Sequence, residues 1–202
     1  MKIYVGMPAY FGVHPEVVRN LVSFNIDLQK EQSEMVLHFP QTSTLSLSRN
    51  LIVKGALREN ADWILMWDSD IQVKDNRFLE FLIETAYKND AAVVGLPCRL
   101  KSPTEIKFNF AMKTHDKGYV NFSELPPEPR EVDVIGTGVM LINMGWLRKN
   151  WPIGPWFTVI DTESGSFPED WTFCEWVKSR GGKVMVDPRV KTVHWGLTGF
   201  SF

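Results

Sequence analysis

Hydrophobic residues follow two alternating spacings along the first hundred residues. Continuous apolar runs predict strands over 2–7, 35–39, 63–67 and 91–96. Between these runs, apolar residues recur three or four positions apart, which predicts helices over 14–30, around 51–57 and over 78–87. The run over 63–67 contains no polar residue and is typical of a parallel strand buried on both faces. Strands that alternate with helices predict an α/β sheet with right-handed crossovers.

The second half of the chain has a less regular pattern. We predict a loop or sheet edge over 124–129, a strand over 139–142, a helix over 171–180 that ends at two glycines, and closing strands over 183–186 and 191–195. Two of the eight tryptophans, Trp63 and Trp67, belong to the buried run, and the other six follow residue 145. This shift in composition indicates that the two halves of the chain have different functions.

The net charge, the hydropathy pattern and the cysteine spacing limit which partners and which compartment we expect. The 202 residues include 22 Lys and Arg against 24 Asp and Glu, and this net charge of −2 argues against nonspecific nucleic-acid binding. No apolar stretch approaches the roughly 18 residues that cross a bilayer. Cys98 and Cys174 lack metal-type or redox-type spacing, so we expect packing residues in a reducing compartment. We therefore expect a cytoplasmic protein, in the host cytoplasm if the source is viral, with no membrane span and no nucleic-acid partner.

An acidic triplet, Asp68-Ser69-Asp70, directly follows the buried run. It is therefore expected at the carboxyl end of a central strand, where open α/β sheets bind their ligands. Alternate residues of an extended chain point the same way, so Asp68 and Asp70 can approach one point, and two such carboxylates favour Mg²⁺ or Mn²⁺. The alternative is a simple turn in which one Asp caps the next segment. The position after a buried strand favours the metal hypothesis.

The triplet in its context resembles a known signature. Trp67-Asp68-Ser69-Asp70 is similar to the Asp-x-Asp motif of GT-A-fold glycosyltransferases, in particular family 2-like members. Further segments resemble the family in the same order along the chain: Val5 to Tyr10, Ser48-Arg49-Asn50, Gly136 to Leu141, Pro168-Glu169-Asp170 and Val193-His194-Trp195. The sequence departs from the family after the second strand, where His38-Phe39-Pro40 replaces an acidic pair that reads the base. The identity of the nucleotide is therefore left open.

The resemblance implies a fold, a donor and a metal. It implies a single GT-A domain over 1–202, Rossmann-like with a mainly parallel central sheet, in which 1–100 bind the nucleotide and 101–202 bind the acceptor. The implied donor is a UDP- or GDP-linked sugar, and the implied acceptor is a glycan or a glycosylated molecule. Asp70 would bind Mn²⁺ or Mg²⁺ directly, Asp68 would contact ribose or a metal-bound water, and His194 would complete the metal ligands. The alternative for His194 is a buried histidine with one hydrogen bond.

Several residues are expected to contact the donor. By resemblance these are Pro8, Ala9 and Tyr10 at the end of the first strand, Arg49 at a helix start, and Asp68 with Ser69. Arg49 could instead be a solvated helix residue. Arg99 and Lys101 follow the buried strand over 91–96, so they emerge at the same edge of the sheet, and one of them is expected to contact the donor.

Glu169 and Asp170 are the candidates for the catalytic base. The segment Ser166 to Glu169 has the spacing of a capping box, which would make Glu169 structural. Asp170 would then lie in the first helical turn, and we predict that it deprotonates the acceptor in an inverting transfer. A retaining transferase, a sugar-nucleotide-forming nucleotidyltransferase and a noncatalytic binding module are the alternatives. The nucleotidyltransferase is disfavoured because no glycine-rich, basic loop follows the first strand.

The late tryptophans suggest the acceptor site. Aromatic faces bury the apolar side of a pyranose, and the wall candidates are Trp151, Trp156, Trp171 and Trp195. Of these we assign Trp156 and Trp171 to the acceptor, together with Gly138, whose segment resembles the one beneath the acceptor in the family. The helical spacing of Phe173, Trp176 and Val177 predicts core residues instead. We also expect the segment 158–166 to be a loop that orders over the bound donor.

Overall fold

The computed structural model describes residues 1–9, 12–116, 118–163, 165–196 and 199–201. In chain order its elements are β1 Lys2–Gly6, α1 Pro15–Lys30, β2 Glu34–His38, α2 Leu45–Arg58, β3 Trp63–Trp67, β4 Ile71–Val73, α3 Phe78–Asn89, β5 Val93–Gly95, β6 Phe110–Thr114, β7 Gly118–Asn121, β8 Arg130–Glu131, β9 Val134–Ile135, β10 Val139–Asn143, α4 Met144–Asn150, β11 Ile160–Thr162, β12 Gly165–Phe167, α5 Glu169–Ser179, β13 Val184–Val186, β14 Thr192–Trp195 and β15 Gly199–Ser201.

A central seven-stranded sheet has the order β2-β1-β3-β10-β5-β13-β8. Strand β1 pairs in parallel with β2 and β3, and β5 pairs in parallel with β13. Strand β10 runs antiparallel to both of its neighbours, and β8 is an antiparallel edge strand. Because Val139 pairs with Trp67, the amino end of β10 lies beside the carboxyl end of β3. The segment that precedes β10 therefore lies at the edge predicted to bind ligands.

Helices cover both faces of this sheet and create two hydrophobic cores. One core contains residues of α2, α4 and α5, and the other contains residues of α1 and α3. All five residues of β3 are buried, as expected for a strand covered on both faces. The indole N–H of Trp67 donates to the carbonyl oxygen of Ile71 at 2.7 Å, so the strand is also fixed to the turn that follows it. The predicted mixed α/β architecture with a mainly parallel sheet is confirmed.

Smaller antiparallel sheets surround the ligand edge. Strands β7, β6 and β9 form one sheet, and β15, β14 and β4 form another. Strand β4 begins immediately after the acidic triplet, and His194 of β14 pairs with Ile71. This pairing places β14, and with it His194, next to Asp70.

Most element predictions are confirmed, and two are wrong. Ser166 lies in β12 and Pro168 occupies the N-cap of α5 without a side-chain cap, so the predicted capping box does not form. The segment 158–166 was expected to be a loop but contains the antiparallel pair β11–β12. Cys98 and Cys174 are buried free thiols, as expected. Among the described residues, no helix is long and apolar enough to cross a membrane.

Candidate active site at the carboxyl edge of the sheet

A cavity of about 570 Å³ opens at the carboxyl ends of β1 and β3. Its lining residues are Pro8, Gly12, Val13, His14, Leu45, Asp68, Ser69, Asp70, Trp195 and Gly196. Pro8, Asp68, Ser69 and Asp70 therefore share one cleft, which is where the sequence placed the donor. Ala9 is buried beside it, and Tyr10 lies outside the described residues.

Backbone hydrogen bonds hold the acidic triplet from three sides. The amide of Asp68 donates to the carbonyl oxygen of Gly138 at 2.9 Å, and the amide of Trp195 donates to that of Asp70 at 2.8 Å. The carbonyl oxygen of Ser69 accepts from the amide of His14 at 2.8 Å. The triplet is thus a turn, as the simpler interpretation held, but a turn whose carboxylates have fixed positions in the cleft.

Asp70 and His194 form one pair within this site. His194 Nδ1 lies 3.0 Å from the carbonyl oxygen of Arg99, and since a carbonyl only accepts, this contact assigns the proton to Nδ1. Nε2 of the same ring lies 3.5 Å from Asp70 Oδ2. Lys101 Nζ also donates to this oxygen, at 2.6 Å. Burial would raise the pKa of Asp70, but hydrogen bonds from His194 and Lys101 lower it to about 2.

Arg49 connects the acidic triplet to the first turn of α5. Its guanidinium donates to Glu169 Oε1 and lies 3.4 Å from Asp68 Oδ1. The Arg49 side chain is only 3% exposed, so the alternative of a solvated arginine is wrong, and its Nε has no hydrogen-bond partner among the described residues. Burial raises the pKa of Asp68, with Arg49 acting in the opposite direction. Arg49 thus links two carboxylates from distant parts of the chain.

Asp170 lies beside this bridge. Its Oδ1 accepts the amide of Trp171 at 2.8 Å, and its Oδ2 is close enough to Gly136 that a methyl group there would lie 3.3 Å away. The pKa of Asp170 is raised to about 6, chiefly by burial; Arg49 opposes this rise, and the negative charges of Glu169 and Asp68 contribute to it. A carboxylate with a pKa near neutrality has the proton affinity that a general base requires.

Glycines bring backbone segments close together beneath the cleft. A Cβ on Gly138 would lie 2.9 Å from the sulfur of Cys98, so only glycine allows β10 to start so near to the segment after β5. Gly138 therefore supports Asp68 through its carbonyl oxygen.

Arg99, predicted to contact the donor, contributes its carbonyl oxygen to His194, while its guanidinium lies 3.5 Å from the carbonyl oxygen of Ser102.

The two tryptophans assigned to the acceptor have different environments. Trp156 is 3% exposed and its indole N–H donates to the carbonyl oxygen of Trp151 at 2.9 Å. It lies instead at a second cavity, of about 560 Å³, which residues of α2 also line. Trp171 is partly buried next to Asp170 and contacts the rings of Tyr119 and Phe167, with centroids 5.1 and 5.9 Å away. Of the two, only Trp171 adjoins the candidate base.

The structure brings together fewer metal ligands than expected. Among the described residues, no three His, Cys, Asp or Glu side chains form a ready-made metal site. Asp70 and His194 meet, whereas Asp68 turns toward Arg49.

His14 lines the cleft and was missed by sequence reasoning, whereas its partner Trp195 was among the candidate wall residues. His14 and Trp195 stack with their ring centroids 4.5 Å apart and their planes inclined by 9°. His14 also accepts a hydrogen bond from the amide of Glu16 as the N-cap of α1, and this helix start was its only local signal. Its partnership with a residue near the other end of the chain has no local signal.

Comparison with known proteins supports the fold. No protein-family model matches the chain, and no curated protein matches its sequence. The crystal structure of A197 from STIV superposes with a TM-score of 0.65 at 19% identity, covering 97% of this chain and 86% of that one. This likeness shows a shared fold and nothing about activity.

Two further solved structures are more distant. A glycosyltransferase involved in the glycosylation of the major capsid of PBCV-1 has a TM-score of 0.48 at 14% identity, covering 93% of this chain and 83% of that one. A protein described as a glucose-1-phosphate thymidylyltransferase from Bacillus anthracis, in complex with sucrose, has a TM-score of 0.47 at 11% identity, covering 96% and 88%. The α/β fold class with a mainly parallel central sheet, predicted from the sequence, is confirmed by the architecture.

Proposed function

We propose that this protein is a metal-dependent glycosyltransferase. It would move a sugar from a UDP- or GDP-linked donor to an acceptor hydroxyl, with inversion at the anomeric carbon. The observation that carries the proposal is the bridge through Arg49, which joins Asp68 of the donor cleft to Glu169, the neighbour of the candidate base. A donor-binding edge and a base are thereby held in one rigid site.

The residues around Asp70 fit a divalent cation. Nε2 of His194 and Oδ2 of Asp70 lie 3.5 Å apart, and either a proton on Nε2 or a cation bound by both atoms makes this approach favourable. Adjacent ligands of Mg²⁺ or Mn²⁺ lie about 3 Å apart, because each bond is about 2.1 Å long. The hydrogen bond from Nδ1 to Arg99 is the usual way in which a ligating histidine is oriented. Two protein ligands suffice for an ion that also binds phosphate and water.

When bound, the cation supplies electrostatic stabilisation of the departing diphosphate. The chain's own residues perform the other tasks. Asp170 accepts the proton of the acceptor hydroxyl as the new C–O bond forms and the bond between the anomeric carbon and the diphosphate breaks. Arg49 fixes Glu169 and so keeps the first turn of α5 aligned with the cleft. Trp171 offers an aromatic face for the acceptor next to Asp170.

The geometry at Asp170 leaves one carboxylate oxygen available to accept a proton. Its backbone partner Trp171 holds Oδ1, which leaves Oδ2 beside Gly136 to receive a proton. A retaining transfer would give the opposite anomer, so anomer-resolved NMR of the product separates the two stereochemical outcomes. The product is expected to have the inverted configuration, and a retained configuration would contradict the role of Asp170 as base.

A thermal-shift panel of nucleoside diphosphates, with and without Mn²⁺, tests the donor class. A ligand that binds only the folded state raises the melting temperature, and we expect a rise for UDP or GDP that requires Mn²⁺. Asp70→Ala should abolish this rise, whereas Asp170→Asn should retain it and stop transfer. If Asp170→Asn transfers sugar as fast as the unchanged protein, the proposed mechanism is wrong. If the unchanged protein binds nucleotide but transfers no sugar to any acceptor, a noncatalytic binding module is the better description.

A further inference from the structure

Two lysines in the segment that follows β5 have different partners. Lys101 Nζ donates to Oδ2 of Asp70, a residue of another segment of the chain, at 2.6 Å. Lys107 pairs instead with Glu105, two residues away, also at 2.6 Å. Of these two lysines, Lys101 is therefore the one that contacts the acidic triplet.

The ammonium of Lys101 contacts the carboxylate oxygen of Asp70 that a bound metal would use. It binds the same Asp70 oxygen that His194 Nε2 approaches. A unit positive charge on that oxygen satisfies the carboxylate in the absence of a divalent cation. Because both cations would bind the same oxygen and their positive charges repel each other, Lys101 and the metal compete for Asp70.

Hydrogen bonds fix the main chain next to Lys101, whereas its side chain is long and partly exposed. The carbonyl oxygen of Arg99 binds His194, and the amide of Leu100 donates to the carbonyl oxygen of Lys107 at 2.8 Å. The Lys101 side chain is 39% exposed and has a flexible four-carbon stem. Its ammonium can therefore leave Asp70 and reach an anion in the adjoining cleft without a change in the fold.

We propose that Lys101 is a donor-binding residue that neutralises Asp70 in the donor-free protein and moves its ammonium to the diphosphate when donor and metal bind. This inference rests on the proposed function. A metal ion alone must displace Lys101 and gives the ammonium no new partner. A diphosphate bound with the metal supplies that partner, so metal and nucleotide bind with positive cooperativity.

The test measures binding rather than turnover. Calorimetric titration gives the dissociation constant of Mn²⁺ alone, and then of UDP and GDP at saturating Mn²⁺, for the unchanged protein, Lys101→Gln and the matched control Lys107→Gln. Loss of a half-exposed ion pair should tighten Mn²⁺ binding by about twofold to fivefold in Lys101→Gln. Loss of a charge-assisted hydrogen bond to phosphate should weaken the nucleotide by about tenfold or more. Lys107→Gln should change neither constant by more than about twofold.

Tighter Mn²⁺ binding together with weaker nucleotide binding in Lys101→Gln is the result expected if Lys101 moves from Asp70 to the diphosphate. Equal constants in Lys101→Gln and Lys107→Gln would overturn the inference while leaving the proposed function intact. Weaker binding of both Mn²⁺ and nucleotide in Lys101→Gln would also overturn it, because Lys101 would then only support the structure. Failure of the unchanged protein to bind Mn²⁺ and either nucleotide would overturn the inference and the proposed function together.

Discussion

Asp170→Asn is expected to make the protein more stable at neutral pH while removing its activity. Burial raises the pKa of Asp170 from the ordinary 3.8 to about 6, so the folded protein holds this proton more tightly than the unfolded chain does. The stability that protonation contributes is fully present below pH 3.8 and is lost as the pH rises through about 6. A shift of about two units corresponds to about 3 kcal/mol, because each unit is worth 1.36 kcal/mol.

Asparagine removes this penalty without removing the local hydrogen bond. Its amide oxygen can accept from the Trp171 amide as Oδ1 of Asp170 does, and its volume is nearly the same. Urea denaturation at a series of pH values should therefore show equal free energies of unfolding for the variant and the unchanged protein near pH 4. The variant should become more stable by about 3 kcal/mol by pH 8.

The control for this experiment is Asp116→Asn. The Asp116 side chain is 89% exposed, so its replacement should leave the free energy of unfolding within about 0.5 kcal/mol at every pH. A loss of stability in Asp170→Asn at pH 8, or a gain that does not grow with pH, would show that ionisation of buried Asp170 does not destabilise the fold. If the variant gains stability and loses transfer, the ionised carboxylate of Asp170 destabilises the fold but is needed for activity.

Three further outcomes follow from the same site. The value of kcat/KM should rise with pH through an apparent pKa of about 6 and then level off, since Asp170 must be ionised to act; a profile that stays flat down to pH 5 would contradict this. Arg49→Met should lower the free energy of unfolding by about 3–5 kcal/mol because Glu169 is left buried without its partner, and adding Glu169→Gln should restore much of the loss in urea denaturation; an unaffected single variant would contradict the buried bridge. His194→Ala should weaken Mn²⁺ binding about tenfold or more in a calorimetric titration, and unchanged affinity would remove His194 from the metal site.

Local patterns in the sequence were sufficient for the elements that carry the acidic triplet. The run Trp63–Trp67 is apolar throughout, and its burial on both faces follows from that alone. The position of Asp68 and Asp70 at the sheet edge follows in turn, because ligand sites in open α/β sheets occur where the central strands end. The candidate donor cleft could therefore be located before any coordinates were known.

Contacts between distant segments were not predictable in the same way. The spacing from Ser166 to Glu169 fits a capping box, but a buried arginine 120 residues away offers Glu169 a full charge, which outweighs a neutral hydrogen bond to a backbone amide. The antiparallel direction of β10 has no signature in a short apolar run, since such a run fits either direction. The meeting of Lys101 with Asp70 likewise depends on the path of a segment without regular structure.

A divalent cation and a diphosphate are expected to bind together at Asp70 and His194. Crystals soaked with Mn²⁺ and UDP or GDP test it through the anomalous scattering of manganese. We predict an anomalous peak about 2.2 Å from Asp70 Oδ2 and His194 Nε2, with the diphosphate completing the ligands. Nucleotide bound in the cleft with no anomalous peak at this pair, or a peak elsewhere, would contradict the account.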